Sequence, residues 1–186
     1  MTKKAAVVLS SPRKGSNSSA LALAIAAGLE AAGGQVDIID LSGLDIKPCI
    51  GCEACQRNGG KCPQIDGMQT VYPKVSKADI LVLATPVYWF NMSGQLKIFL
   101  DRCFAIASNG EKPFSQKTIA AAMAYGDTDP MSSGGINAVR CFQDICGYTG
   151  AAWGGSVYGS AMERDILSKD EELLEKAREL GRRLMN

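Results

Sequence analysis

Short apolar runs alternate with longer mixed segments along the chain. KAAVVLS (4–10) is followed by NSSALALAIAAGLEAAGG (17–34) and then QVDIIDL (35–41). The first and third have strand length, the second helix length. The alternation resumes with DILVLATP (79–86), a helical stretch from about Ser93 to Ala107, KTIAAAMAY (117–125), a helical stretch near 134–147, GAAWGGSVYG (150–159) and a charged helix over 168–185. Five strands alternating with helices predict a three-layer α/β fold, because a parallel crossover needs a connection about as long as a helix. The runs AAVVL and ILVLA lack the two-residue alternation of a half-exposed strand, which fits central strands buried on both faces. The last helix opens with Ser168 and acids and closes with arginines, an order that suits the helix dipole, and it reads as scaffold. No repeat, low-complexity run or composition shift marks a linker, so one domain over 1–186 is expected. Its irregular part is an insertion at about 42–67, rich in cysteine, proline and glycine. A loop that long inside a compact domain is usually functional or disordered, and its composition favours function.

Composition narrows the function. Apolar residues make up 46%, charged residues 21%, and the formal net charge is +1. That balance suggests neither a nucleic-acid nor a membrane partner. The N-terminal apolar run stops at Ser10, too short for a signal-peptide core or a membrane span, so a cytoplasmic protein is expected. The chain has seven cysteines, an odd number, and four of them fall between 49 and 62. In a cytosolic chain this argues for metal or redox chemistry over a disulfide framework. Histidine is absent, which excludes Ser-His-Asp and Cys-His nucleophile systems and His-ligated zinc from this chain alone.

Two loops carry candidate chemistry. SSPRKGSNSS (10–19) joins the first strand to the first helix and holds Ser10, Arg13, Lys14, Gly15, Ser16, Asn17 and Ser18. A strand leading into a helix N-terminus presents free N–H groups and the positive end of the dipole, which makes an anion site. Simple helix capping by Ser16 or Asn17 would explain the same residues. Neither G-x-x-x-x-G-K-[ST] nor G-x-G-x-x-G is present, which disfavours a plain ATPase or a dinucleotide-binding Rossmann domain. TPVYWFNMSGQLKIFLDR (85–102) places Tyr88, Trp89 and Phe90 in succession at a strand end. Such a cluster suits a flat apolar ligand, and equally a hydrophobic plug or an oligomer interface. A third loop, AYGDTDPMSSGG (124–135), follows the fourth strand at the same sheet edge.

Together, SSPRKGSNS, PCIGCEACQRNGGKCPQIDGM and ATPVYWFNMSGQLKIFLDR resemble the flavodoxin-like NAD(P)H-dependent FMN reductase superfamily, and within it the iron–sulfur flavoprotein branch. The resemblance covers nearly the whole chain. It implies a flavodoxin-like fold, a five-stranded parallel sheet of order 2-1-3-4-5, with FMN bound noncovalently at its carboxyl edge. Ser10, Arg13, Ser16, Asn17 and Ser18 would hold the phosphate. Pro86, Val87, Tyr88, Trp89, Phe90 and Asn91 would border the isoalloxazine, with Tyr125, Gly126 and Asp127 closing the other side. It further implies a homodimer or homotetramer.

Cys49-x-x-Cys52-x-x-Cys55 resembles the first three ligands of a ferredoxin-type run, with Cys62 as the fourth thiolate of a [4Fe–4S] cluster. Zinc on four thiolates, a Cys52/Cys55 redox dithiol, and a cluster-free wall over the flavin remain alternatives. Cys103, Cys141 and Cys146 fall in predicted helices and are assigned no role. The function expected is an FMN-dependent oxidoreductase moving electrons from NAD(P)H or a reduced electron-carrier protein to flavin, a quinone or another small-molecule acceptor. An electron carrier between protein partners is the second reading, and a flavin-binding or structural protein with a zinc loop the third.

Overall fold

The structure is a computed structural model and describes residues 2–186. Its elements run β1 (Lys4–Leu9), α1 (Asn17–Ala31), β2 (Gln35–Asp40), α2 (Ala54–Arg57), α3 (Met68–Lys77), β3 (Ile80–Tyr88), β4 (Asn91–Met92), α4 (Gly94–Ala107), β5 (Thr118–Tyr125), α5 (Gly135–Thr149), β6 (Ala152–Ser160) and α6 (Glu171–Leu184). Five strands lie parallel in the order β2-β1-β3-β5-β6, and β4 pairs antiparallel with the end of β3. The expected succession 2-1-3-4-5 therefore stands, with one two-residue strand added. Helix α3 was not anticipated either. Pro73 within it and a sparse apolar stripe, Met68, Val71 and Val75, weaken the helical signal at the sequence level.

The central strands are buried on both faces, and a period of two decides which layer each residue joins. Ala5, Val7, Ile80, Val82, Ala120 and Ala122 pack with α1 and α6. Ala6, Val8, Leu81, Leu83, Ile119 and Ala121 pack with α3, α4 and α5. Both sets are apolar, so hydropathy alone shows no alternation.

Helices α1 and α6 touch backbone to backbone. A Cβ on Gly28 would stand 2.0 Å from the Arg178 carbonyl oxygen, and one on Gly181 would stand 2.2 Å from that of Ile25. Neither obstacle is a flexible side chain. Gly28→Ala is expected to lower unfolding free energy by about 1–3 kcal/mol through overpacking, despite the roughly 1 kcal/mol advantage of alanine as a helix former. Urea denaturation reads this directly. An unchanged midpoint would show that the two helices can move apart at no cost.

No helix of the described residues is long and apolar enough to cross a membrane.

Candidate flavin site and cysteine cavity

The strand register brings four loops to one edge of the sheet. Leu9 lies beside Ala84, Pro86 beside Ala124, and Tyr125 beside Ser160, so the segments that follow β1, β3, β5 and β6 all leave from the carboxyl edge. Ligands of open α/β sheets bind at that edge.

At the first loop, Ser16 caps α1, its Oγ accepting from the Ser19 N–H at 3.2 Å. The loop turns at Gly15 with φ +63°, a conformation that favours glycine. Arg13 and Lys14 are exposed. Together with Gly15, Ser16 and Asn17 they line a cavity whose opposite wall is Met162, Glu163, Arg164 and Asp165. The Asn17 side chain is committed to that wall: Nδ2 donates to the Glu163 carbonyl at 2.9 Å and Oδ1 accepts from the Leu167 N–H at 3.0 Å. Ser18 is fully buried, and Ser10 is buried with its Oγ donating to the Ala84 carbonyl at 2.7 Å and 2.9 Å from Ser93 Oγ. Ser10 therefore ties β1, β3 and the start of α4 together from behind the loop. The wall after β6 was not foreseen, since its residues carry no motif.

At the second loop, Tyr88 pairs with Asn91 and leaves Trp89 and Phe90 as a two-residue hairpin turn with φ +48° and +65°. Two positive φ values define the type I′ turn, whose usual residues are Asn and Gly. Bulky residues there cost on the order of 1–3 kcal/mol each, and such strain gathers at ligand clamps and active sites. The turn is held from outside. The Asn137 amide donates to the Phe90 carbonyl at 3.0 Å, and a Cβ on Gly134 would stand 2.5 Å from Phe90 Cα. Trp89 is 93% exposed and meets Phe90 edge-on at 6.2 Å between ring centres. This is a large apolar surface held out into solvent at the ligand edge. Pro86 and Val87 are half-buried behind it, and Asn91 Oδ1 accepts from the Met92 N–H at 2.8 Å.

Across from the hairpin, Tyr125 is buried and stands 6.2 Å from Tyr158, centre to centre. Gly126 is exposed, and the Asp127 carbonyl accepts from Ser160 Oγ.

The cysteine segment is closed at its neck by one carboxylate. Asp66 accepts from the backbone N–H groups of Lys47 and Met68, each at 3.0 Å, and from Arg102 at 2.5 Å. Arg102 in turn donates to the Lys47 carbonyl at 2.7 Å. Burial would push Asp66 up, but Arg102 and the two backbone donors carry it below the ordinary carboxylate range. Inside the neck, Cys49, Cys52, Cys55 and Cys62 line one cavity of about 40 Å³, walled by residues 101, 102, 104 and 105 of α4. Three of the sulfurs already receive N–H donors: Cys49 from Gly51 at 3.5 Å, Cys55 from the Gln56 amide at 3.6 Å, and Cys62 from Arg102 at 3.5 Å. Among the described residues, no three Cys, Asp or Glu side chains stand close enough to share one metal ion. In a polynuclear cluster each thiolate holds its own iron, and the donor set such a group asks for, four thiols, lines this one cavity.

Residues 3–160 match the NADPH-dependent FMN reductase family. The chain belongs to this family. Its fold is flavodoxin-like and it is an FMN-dependent oxidoreductase. It is 30% identical over 186 residues to an iron–sulfur flavoprotein of Archaeoglobus fulgidus, covering 97% of this chain and 78% of the relative. An iron–sulfur flavoprotein of Methanosarcina thermophila is 36% identical over 120 residues, 62% of this chain and 59% of that one. Among solved structures, an NAD(P)H:quinone oxidoreductase from Methanothermobacter marburgensis superposes with a TM-score of 0.73 at 17% identity, over 100% of this chain and 98% of the other.

In this FMN reductase family member, strongly perturbed titratable groups mark neither candidate site alone. Burial pulls Lys117 down to about 8. Its Nζ donates to the Ala78 carbonyl at 2.6 Å, at the amino edge of the sheet, opposite the loops of the carboxyl edge. Burial likewise pushes the Cys103 thiol up, which leaves it a core residue. A cavity of about 800 Å³ opens between α4 and α5, with Leu100, Phe104, Ile145 and Tyr148 among its walls, and it reaches the cysteine segment at Cys49 and Gly51.

Proposed function

We propose that this chain takes electrons from NAD(P)H or a reduced protein donor and passes them to free flavin, a quinone or another small acceptor. The flavin would sit in one flavodoxin-like domain that carries the cysteine segment as an insertion. The supporting observation is the convergence, at one sheet edge, of the α1 N-terminus and a strained aromatic hairpin. The first-turn N–H groups of a 15-residue helix suit the FMN phosphate. Ser16, Ser18 and Arg13 flank them, while Asn17 contributes its backbone N–H and Ser10 supports the loop. Pro86 through Asn91 offer an edge and a face to the isoalloxazine, with Tyr125, Gly126 and Asp127 on the other side. FMN held there would supply the redox chemistry, with capacity for both two-electron and one-electron exchange. The chain binds, orients and shields the ring, and no side chain need move a proton, in keeping with the absence of histidine.

Denaturing the purified protein is expected to release stoichiometric FMN, and NADH or NADPH is expected to bleach the flavin absorbance of the holoprotein. If no flavin is released and added FMN does not bind, the reading fails.

The cysteine cavity favours a second reading, in which Cys49, Cys52, Cys55 and Cys62 hold a [4Fe–4S] cluster and the protein relays electrons between protein partners. Bleaching by a reduced protein donor but by neither nicotinamide, with reoxidation by a protein acceptor and not by free flavin or a quinone, would select it.

A further inference from the structure

Arg102 does more than close the neck of the cysteine segment. Its side chain is 0% exposed, it lines the four-thiol cavity, and its Nη2 is divided between Asp66 Oδ1 at 3.2 Å and Cys62 Sγ at 3.5 Å. Its Nε is the one buried side-chain nitrogen or oxygen among the described residues that lacks a partner. The fork sits end-on on the carboxylate, Nη1 on Oδ2 at 2.5 Å and Nη2 on Oδ1 at 3.2 Å, which leaves Nε unpaired. Nη2 carries a second N–H, and the sulfur of Cys62 is its neighbour.

The remaining cavity wall is apolar at Ile50, Pro63, Phe104 and Ala105, and carries the two acids Glu53 and Asp101, so Arg102 is its one cation. Thiolates and an iron–sulfur core would bring negative charge into surroundings that solvate it poorly. The Asp66–Arg102 pair is neutral as a whole, but its positive end faces the sulfur and its negative end faces the neck. N–H donors and positive charge beside cluster sulfurs stabilise the reduced, more negative state most.

We infer that Arg102 is a positioning residue for the four-thiol cavity, fixing Cys62 and raising the reduction potential of an iron–sulfur cluster held there. The inference rests on the cluster reading above.

Two variants test it, made and reconstituted without oxygen. Arg102→Lys keeps a cation for Asp66, but a single ammonium cannot serve Asp66 and Cys62 together. Asp66→Asn combined with Arg102→Gln keeps the shape of the pair and strands no buried charge, so the fold survives if the lysine variant is unstable. Bound FMN reports the fold, iron and sulfide analysis reports the cluster, and an EPR-monitored redox titration reports its potential. The expected result is retained FMN, retained iron, and a reduction equilibrium about tenfold less favourable in both variants, about 59 mV for a one-electron couple. A wild-type potential in variants that keep their iron would overturn the inference and leave Arg102 as a clamp. Wild-type protein that binds FMN yet takes up no iron or sulfide would instead remove the cluster reading, and the inference with it.

Discussion

Asp66→Ala is expected to cost about 3–5 kcal/mol of stability, the loss typical when one partner of a buried ion pair is removed. The Asp66 and Arg102 side chains are 1% and 0% exposed, so Arg102 would be left charged with only the Lys47 carbonyl and the Cys62 sulfur to receive its N–H groups. The same substitution removes the acceptor for the Lys47 and Met68 N–H groups, which frees both the entry to the cysteine segment and the start of α3. The pair also confers a pH dependence with a definite sign. Asp66 has a folded pKa below its unfolded value, so its stabilisation is complete above about pH 4, the ordinary carboxylate range, and is lost as pH falls through the folded value. Urea unfolding of wild type and Asp66→Asn at pH 7 and at steps toward pH 3 checks both statements. The wild type should lose stability more steeply than the variant on the acid side. A loss below about 1 kcal/mol for Asp66→Ala would mean the pair behaves like an exposed one.

Ser16→Asp is expected to weaken FMN binding by at least about 100-fold while leaving the fold intact. Aspartate caps helices as well as serine does and favours the positive end of α1, so thermal stability of the apoprotein should hold or rise. Its carboxylate would occupy the place where the phosphate is proposed to sit, and two anions at one helix N-terminus repel. The loss corresponds to about 2.7 kcal/mol of binding free energy. Isothermal titration of apoprotein with FMN measures it, with riboflavin, which lacks the phosphate, as the control ligand. Unchanged FMN affinity in a folded variant would move the phosphate away from α1.

What the sequence made legible was the layer arrangement and the sharing of one sheet edge by the candidate loops. Uninterrupted apolar runs such as ILVLA could only be central strands, and the loops after them had to share an edge. The hairpin at Tyr88–Asn91 was hidden, because its turn uses Trp89 and Phe90 in conformations that Asn-Gly would normally announce. Its cause is tertiary: Gly134 and Asn137, more than forty residues on, hold it. Asp66 and Arg102 were hidden for the same reason. Nothing local distinguishes an aspartate thirty-six positions from its arginine from any surface acid. Asn17 was visible as a helix-start residue, yet its side chain serves a segment 146 residues away.

The closed neck gives the cysteine segment the character of a cassette. Its entry at Lys47 and its exit at Met68 hang from the same carboxylate, so the rest of the molecule meets the segment at one fixed pair of ends. A loop anchored in this way can be lengthened or shortened at little entropic cost, about 0.6 kcal/mol for each doubling. The spacing of its thiols can therefore be retuned, or the segment replaced outright, while the sheet edge proposed to receive flavin stays as it is.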